Sequence, residues 1–144
     1  MGHASSIALG LARSQPERRV ICLDGDGSVL MHMGSLAIVG QSQQANLIHV
    51  VLNNGAHDSV GGQPTCAFAI DLAGVARACG YQKVLVASEP QEIDQAFASL
   101  LAQKGPSFLE IRVNKGARSD LGRPRSSPTE NREALMNGLG VNLR

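Results

Sequence analysis

Two loops of the sequence combine acidic or amide side chains with glycines directly after runs of apolar residues. The first, "DGDGS" at residues 24–28, follows "RVICL", and the second, "NNGAH" at residues 53–57, follows "LIHVVL". Carboxylate and amide oxygens bind hard cations such as Mg²⁺ and Ca²⁺, and backbone N–H groups in turns bind anions. The two loops are therefore the first candidates for a site that holds a metal and an anion.

The first loop superficially resembles the start of an EF-hand calcium loop. Such a loop needs a helix before it and a bidentate Glu at its twelfth position, where this sequence has Ser35. We therefore reject the calcium loop. In one remaining interpretation, Asp24 and Asp26 cap the following helix. In the other, Asp26 holds Mg²⁺, while Gly27 and Ser28 present N–H groups to a phosphate at the start of that helix.

The elements that must position these loops alternate between strand and helix. Apolar runs typical of buried parallel strands occupy residues 19–24, 46–54, 83–88 and 107–113. Helical spacing occupies residues 3–14, 33–44, 70–80 and 89–105. This alternation predicts an α/β domain of three layers, with a mostly parallel sheet and helices on both faces. Ligands of such sheets bind at the carboxyl ends of the strands, where both loops lie.

The spacing between the loops favours the metal interpretation. Asn54 follows Asp26 by 28 positions (54 − 26), which leaves room for one helix and one strand. That crossover returns the chain to the same edge of the sheet, so the Asp26 carboxylate and the Asn54 amide oxygen can converge. Taken alone, the first loop is at least as well explained by a helix cap, and the second is better explained by an ordinary turn.

The paired loops resemble a known cofactor motif. "GDGS" followed 28 residues later by "NN", each after an apolar strand, is similar to the thiamine diphosphate-binding motif. The similarity reaches back to "MGHASSIALG" and covers most of residues 1–113. The chain is thus identified as a member of the thiamine diphosphate-dependent decarboxylases, with the fold of their cofactor-binding domain expected over residues 1–113. Residues 114–144 are polar and basic and are expected to form a C-terminal extension, either a solvated arm, which we prefer, or a partner-binding segment.

The resemblance implies a role for each matching residue. Mg²⁺ would be bound by the side chains of Asp26 and Asn54 and by the main-chain carbonyl of Ala56. The diphosphate would be bound by the backbone N–H groups of Gly27 and Ser28. The further residues of the implied cofactor site are Met1, Gly2, Gly25 and Asn54.

The match at Met1 and Gly2 also bears on the extent of the chain. These residues match the place where such enzymes set a bulky apolar side chain beneath the cofactor, so Met1 is expected to be an internal residue of a longer enzyme whose N-terminal part is absent. In this family a glutamate from a separate pyrimidine-binding domain activates the cofactor, and no stretch of this sequence matches that domain. A partner domain or subunit should supply the glutamate, within a homo- or hetero-oligomer.

The second loop also points to a substrate class. "NNGAHDSVGGQPT" at residues 53–65 closely resembles the same loop in phosphonopyruvate decarboxylases and, less closely, in sulfopyruvate decarboxylases. Both act on pyruvates that carry a strongly anionic group at C3. Donors for that anion would be the hydroxyls of Ser59 and Thr65, the Gln63 amide and the free N–H groups of Gly61 and Gly62. The alternative is a glycine-containing cover over the cofactor with no substrate role.

Two residues of this loop are candidates for proton transfer. His57 and Asp58 could supply the proton that the product requires after loss of CO₂. His57 could equally pack against the cofactor. His49, which lies within an apolar strand, is predicted to be a hydrogen-bonded core residue.

Charge and composition exclude other classes. The net charge of +1 and the 3% aromatic content argue against partners such as nucleic acid or an acidic membrane surface. Between Arg19 and Arg77 there is no Lys or Arg, so a diphosphate in this region needs a metal ion, backbone dipoles or cations from a partner chain. No apolar run reaches the ~20 residues that span a bilayer. Three cysteines without CxxC spacing favour a reduced, cytoplasmic protein.

The sequence is expected to belong to a carbon–carbon lyase. The expected reaction is the thiamine diphosphate- and Mg²⁺-dependent conversion of phosphonopyruvate to phosphonoacetaldehyde and CO₂. The isolated chain is expected to be inactive. The alternatives are a subunit of a sulfopyruvate decarboxylase and a non-catalytic half-module that binds cofactor only.

Overall fold

Strands and helices alternate along the chain, as the apolar runs predict. The computed structural model describes residues 1–122 and 124–140. The strands are β1 (Val20–Gly25), β2 (Leu47–Asn53), β3 (Ala56–His57), β4 (Gln63–Pro64), β5 (Lys83–Ala87) and β6 (Ser107–Arg112). The helices are α1 (Ala4–Ser14), α2 (Asp26–Met31), α3 (Gly34–Gln41), α4 (Leu72–Ala78), α5 (Pro90–Leu101) and α6 (Pro128–Gly138), with a 3-10 turn at Asp58–Val60.

Four of the strands form one parallel sheet in the order β1, β2, β6, β5. The register pairs Leu23 of β1 with Val50 of β2, and Val50 with Leu109 of β6. The loops that follow β1, β2 and β6 therefore meet at the same edge of the sheet. The short strands β3 and β4 pair with each other in antiparallel fashion beyond the end of β2.

Alternate residues of β2 face two different apolar cores. Leu47 and Val51 pack with residues of α1, α3 and α4 on one face, whereas Ile48 and Val50 pack with residues of α5 on the other. Since both faces of the strand are buried, nearly every residue of the run is apolar. The predicted three-layer α/β domain with a parallel sheet is confirmed.

β1 is less buried than its apolar run predicts. Ile21 is 42% exposed and Leu23 is 65% exposed, because α5 packs on β5 and β6 and does not extend over β1. Among the described elements β1 is an edge strand, and only its other face is covered, by α1. The prediction that this strand is buried on both faces is wrong for the described residues.

The loop at residues 24–28 already contains the start of a helix. α2 begins at Asp26, directly after the extended Gly25 (φ −107°, ψ 156°), which agrees with the helix start expected at Gly27 and Ser28, although the helical spacing of the sequence was recognised only from residue 33. The first turn of α2 therefore presents N–H groups without helical partners at the carboxyl end of β1.

The C-terminal extension contains a helix where an arm was expected. Ser127 and Glu130 form a reciprocal capping box, and Pro128 occupies the first helical position of α6. No residue of α6 is buried, so this part of the extension is solvated as expected. It is helical, and its first turn is stabilised by the capping box. The division of the chain after residue 113 stays a prediction. Within the described residues, no helix is long and apolar enough to cross a membrane.

Candidate functional site

A cavity of about 560 Å³ lies at the carboxyl ends of β1, β2 and β6. The predicted site residues that line it are Met1, Gly25, Asp26, Gly27, Ser28, Asn54, Ala56, His57, Asp58 and Ser59. The predicted residues that lie outside its lining are Gly2, Gly61, Gly62, Gln63 and Thr65. Its volume is in the range of small-molecule and cofactor sites.

Asp26 presents a buried carboxylate to this cavity. The residue is only 2% exposed, and among the described residues its side-chain partner is the Thr65 hydroxyl, which donates to Oδ2. A carboxylate this deeply buried is costly unless a partner offsets its charge, and a metal ion in the cavity would do so. Thr65 was expected to donate to a substrate anion; its hydroxyl donates to Asp26 instead, so that assignment is wrong.

The two adjacent asparagines at the end of β2 have different surroundings. Asn53 is fully buried and donates from Nδ2 to Glu110 Oε1 at 2.8 Å, so it ties β2 to β6. Asn54 lines the cavity, and its Oδ1 accepts from the Ala56 N–H at 3.0 Å. Only the second asparagine is thus placed to offer an oxygen to a ligand in the cavity.

His57 packs directly over Gly27. A Cβ atom at position 27 would overlap Nδ1 of the His57 ring, so only glycine allows this close approach. The contact joins the start of α2 to the β3–β4 pair and places the His57 ring on the cavity wall beside the first turn of α2. Both alternatives for His57, proton transfer and packing, fit this position.

The turn at Gly2 is tied to the first loop by Ser28. The Gly2 N–H donates to Ser28 Oγ at 2.9 Å, and a Cβ at this positive-φ glycine would overlap the His32 ring. The Ser28 hydroxyl thus holds the turn at Gly2, while the resemblance assigns the backbone N–H of Ser28 to a phosphate. Gly2 itself is buried and supports Met1, which lines the cavity.

A buried polar chain beneath the cavity was not predicted as a unit. Tyr81 Oη lies 3.1 Å from His49 Nδ1, and His49 Nε2 lies 3.4 Å from Asp24 Oδ2. The prediction that His49 is a hydrogen-bonded core residue is confirmed. Asp24, which the sequence offered as a helix cap, accepts the Gly25 N–H and is also the end of this buried polar chain.

The pKa of Asp24 reflects these contacts. Burial alone would raise the pKa of its carboxyl group. Hydrogen bonds from His49, Ser28 and the Gly25 N–H, together with the attraction of His49, outweigh burial and hold the pKa below its ordinary value. Burial, with the nearby Asp24 charge, raises the pKa of the Cys22 thiol to about 11, so that this neighbour stays protonated.

The segment after β6 reaches the cavity as well. Asp58 Oδ2 accepts from Asn54 Nδ2 at 2.8 Å and from the Gly116 N–H at 2.7 Å, and Lys115 donates to the Gly62 carbonyl. No role was predicted for this segment from the sequence. The signal was available, because residue 113 follows a parallel strand whose carboxyl end shares the edge of β1 and β2.

The loop at residues 58–63 differs in one respect from the expected anion nest. The Gly62 N–H donates to the His57 carbonyl at 2.9 Å, so the expectation that it is free is wrong. Gly61 and Gln63 lie beside it, and Gln63 is exposed. Ser59 is the member of the expected donor set that lines the cavity.

The donor set of the cavity fits a hydrated divalent cation bound to phosphates. Asp24, Asp26 and Asp58 line the cavity, while no Lys or Arg of the described chain does. Mg²⁺ commonly takes one or two carboxylate ligands and fills its remaining positions with substrate phosphates and water. An anionic ligand in this acidic cavity therefore requires such a cation.

Comparison with a family model identifies the same region. Residues 1–111 match the model described as "Thiamine pyrophosphate enzyme, C-terminal TPP binding domain". Among solved structures, the Rhodococcus jostii thiamine diphosphate-dependent 4-hydroxybenzoylformate decarboxylase superposes with a TM-score of 0.68 at 25% identity. That match covers 81% of this chain and 24% of the other.

Curated relatives are similar over most of the chain. Phosphonopyruvate decarboxylase from Streptomyces viridochromogenes is 46% identical over 130 residues, 90% of this chain and 32% of that protein. Sulfopyruvate decarboxylase subunit beta from Methanothermobacter thermautotrophicus is 45% identical over 81% of this chain and 60% of that subunit. The corresponding subunit from Methanococcus maripaludis is 36% identical over 96% of this chain and 74% of its own length. The chain thus spans about a third of the phosphonopyruvate decarboxylases it matches.

Proposed function

The chain belongs to the thiamine pyrophosphate enzymes, whose C-terminal domain binds that cofactor, and we propose that it forms the cofactor-anchoring half of a decarboxylase active site. The observation that carries this proposal is the convergence of the buried Asp26 and of Asn54 on one cavity. They come from the carboxyl ends of adjacent parallel strands, where the fold class binds its ligands.

The proposed anchor consists of a metal and a cradle of backbone groups. Asp26, Asn54 and the Ala56 carbonyl hold Mg²⁺, and the N–H groups of Gly27 and Ser28 bind the diphosphate. Mg²⁺ offsets the negative charge that the cavity aspartates and the phosphates share. The proposed cofactor site also includes Met1 on the cavity wall, Gly2 behind it and Gly25 before α2.

The chain's own residues then serve the reaction of a 2-oxo acid. When bound, thiamine diphosphate supplies the carbon nucleophile and the electron sink that decarboxylation requires. His57, half-buried beside Gly27, is placed to deliver the proton that replaces CO₂ on the product. Asp58 already accepts two hydrogen bonds, so we assign it a positioning role in place of the acid role considered from the sequence.

The proposed substrate is a pyruvate with an anionic group at C3, in the first place phosphonopyruvate, which would yield phosphonoacetaldehyde and CO₂. The 46% identity to a phosphonopyruvate decarboxylase supports this choice. Within the chain, the Ser59 hydroxyl lines the cavity, and the Gly61 N–H and the Gln63 amide lie next to it along the loop. Gly62 contributes its conformation and not its N–H group.

A sulfopyruvate decarboxylase subunit is the second candidate. The chain covers 60% and 74% of two relatives that are named as beta subunits, a far larger share than of the phosphonopyruvate decarboxylases. Under either candidate, we propose that another segment or subunit supplies the pyrimidine-binding half with its glutamate, and that the active enzyme is an oligomer.

A side-by-side assay separates these candidates. The chain, assembled with its pyrimidine-binding half, is given phosphonopyruvate, sulfopyruvate and pyruvate, and kcat/KM is measured by CO₂ release. The proposal predicts the highest value with phosphonopyruvate, and a preference for sulfopyruvate selects the second candidate. Preference for unsubstituted pyruvate would refute the anionic substrate class, and no turnover with full cofactor occupancy would favour a non-catalytic binding module.

A further inference from the structure

The segment that follows β6 forms one wall of the cavity mouth. The Val113 N–H donates to the Asn53 carbonyl at 2.9 Å, which continues the pairing of β6 with β2 by one residue. Val113, Asn114 and Gly116 line the cavity. Residues 113–116, called the strap below, are therefore held at the same edge as the two ligand loops.

Asp58 fastens this strap to the loop that faces it. Its Oδ2 accepts from the Gly116 N–H at 2.7 Å and from Asn54 Nδ2 at 2.8 Å. One carboxylate oxygen thus joins the strap, the 3-10 turn and the asparagine that faces the cavity. The position of the strap is coupled to the predicted metal ligand by two hydrogen bonds.

The fastened strap places the Lys115 ammonium against the loop at residues 58–62. Lys115 Nζ donates to the Gly62 carbonyl and lies 3.1 Å from where a Cβ of Gly62 would be. None of the ion pairs among the described residues includes Lys115, whereas the nearby Arg112 pairs with Glu110. Its ammonium therefore donates to a neutral carbonyl, and its chain neighbours Asn114 and Gly116 line a cavity whose described lining contains aspartates but no Lys or Arg side chain.

We propose that Lys115 is a specificity-determining residue that binds the anionic C3 substituent of the substrate. The inference rests on the proposed function. A phosphonate or sulfonate oxygen would replace the Gly62 carbonyl as an acceptor of the Lys115 ammonium, and its negative charge adds a Coulomb attraction that the neutral carbonyl lacks. Mg²⁺ is committed to the diphosphate in this arrangement, so the substrate's second anion needs a separate cation, and the strap supplies it.

Charge and length at position 115 can be separated in the assembled enzyme. Lys115→Met keeps a long side chain without charge, and Lys115→Arg keeps the charge. Lys104→Met is a matched control at the opposite end of the sheet, where Lys104 borders a different depression near Arg19. We expect Lys115→Met to lower kcat/KM for phosphonopyruvate by about 10- to 100-fold, the effect of losing one hydrogen bond to a charged group. The value for pyruvate and the dissociation constant of Mg²⁺–thiamine diphosphate, from calorimetry, should stay unchanged.

The outcomes decide the role of Lys115 and the substrate class separately. Retention of the substrate preference in Lys115→Arg and in Lys104→Met completes the expected pattern. Equal losses for phosphonopyruvate and pyruvate in Lys115→Met would show that Lys115 only fastens the loop, and an unchanged preference would show that another group binds the anion. Both results overturn the inference and leave the proposed function standing. If the wild-type enzyme itself favours pyruvate over both anionic substrates, the proposed function fails first.

Discussion

Asp24 and Asp26 are separated by one glycine, yet their carboxylates lie in different surroundings. Asp24 accepts the Gly25 N–H and contacts His49, which in turn contacts Tyr81, so its charge is held within the protein. Asp26 has the Thr65 hydroxyl as its partner and faces the cavity. The first acid thus supports the loop, and the second is the one that we propose as the metal ligand.

Asp24→Asn should lower stability and remove part of its acid dependence. Loss of a hydrogen bond to a charged group in a buried site costs about 1.5–3 kcal/mol at neutral pH. Since the folded-state pKa of Asp24 is lowered, its stabilising effect is complete above the unfolded value of about 3.9 and is lost as the pH falls through the folded value. Urea unfolding from pH 7 downward would measure both effects. A variant as stable as the wild type at pH 7 would contradict the supporting role of Asp24.

Part of this residue-level arrangement follows from the sequence, and part does not. Asp26 and Asn54 were predicted because each follows an apolar strand, and parallel strands bring their carboxyl ends together. The contact between His49 and Tyr81 depends on how the loop after α4 packs against β2, which no local pattern encodes. The Thr65 bond to Asp26 was missed for the same reason, since it depends on the path of the β3–β4 pair.

At the scale of elements, β2 and β6 are joined at their carboxyl ends by buried polar groups. Asn53 Nδ2 of β2 donates to Glu110 Oε1 of β6, and Glu110 is only 2% exposed. Arg112, which is also on β6, donates from Nε to the same oxygen. The next residue of β2, Asn54, has left the sheet and lines the cavity. Adjacent residues therefore have different roles: the Asn53 side chain holds β2 to β6, and the Asn54 side chain faces the cavity.

Alanine at position 53 should mainly lower stability, whereas alanine at position 54 should mainly weaken cofactor binding. Asn53→Ala removes a buried partner of Glu110 and should lower the free energy of unfolding by about 1–3 kcal/mol. Asn54→Ala should change stability much less but weaken Mg²⁺-dependent binding of thiamine diphosphate. Denaturant unfolding and calorimetry of both variants test this division. The account is wrong here if Asn53→Ala loses cofactor affinity at unchanged stability, or if Asn54→Ala keeps full affinity.

The elements themselves were predictable to different degrees. The ends of β2, β5 and β6 fall within one residue of their apolar runs, because strands buried on both faces have a continuous apolar sequence. The burial of β1 was overestimated, since an apolar run does not show which strand lies at the edge of the sheet. The helix α6 was missed because its face is polar and only the Ser127 capping box marks its start.

At the scale of the whole molecule, the described residues leave the cavity open on one side. Met1, Leu23 and Leu52 line the cavity and are 65%, 65% and 42% exposed, so its apolar wall is not closed by the described residues. Catalysis by this cofactor requires exclusion of water from the reacting centre. We therefore propose that the pyrimidine-binding half closes the cavity from this side.

The chain by itself should be inactive. With saturating Mg²⁺ and thiamine diphosphate, CO₂ release from phosphonopyruvate should not exceed the rate without protein, because we propose that the glutamate and the covering domain come from another segment or subunit. Adding a pyrimidine-binding subunit should restore turnover. Turnover by the isolated chain, undiminished after further purification, would refute the half-site proposal.

The central claim, that Asp26 anchors the cofactor through Mg²⁺, is tested most directly by calorimetric titration of thiamine diphosphate into the chain assembled with its pyrimidine-binding half. Wild type and Asp94→Ala, which alters an exposed acid on α5, should bind tightly in Mg²⁺ and weakly in EDTA. Asp26→Ala should show no Mg²⁺-dependent binding while its unfolding transition stays cooperative. Wild-type affinity in Asp26→Ala would contradict the account.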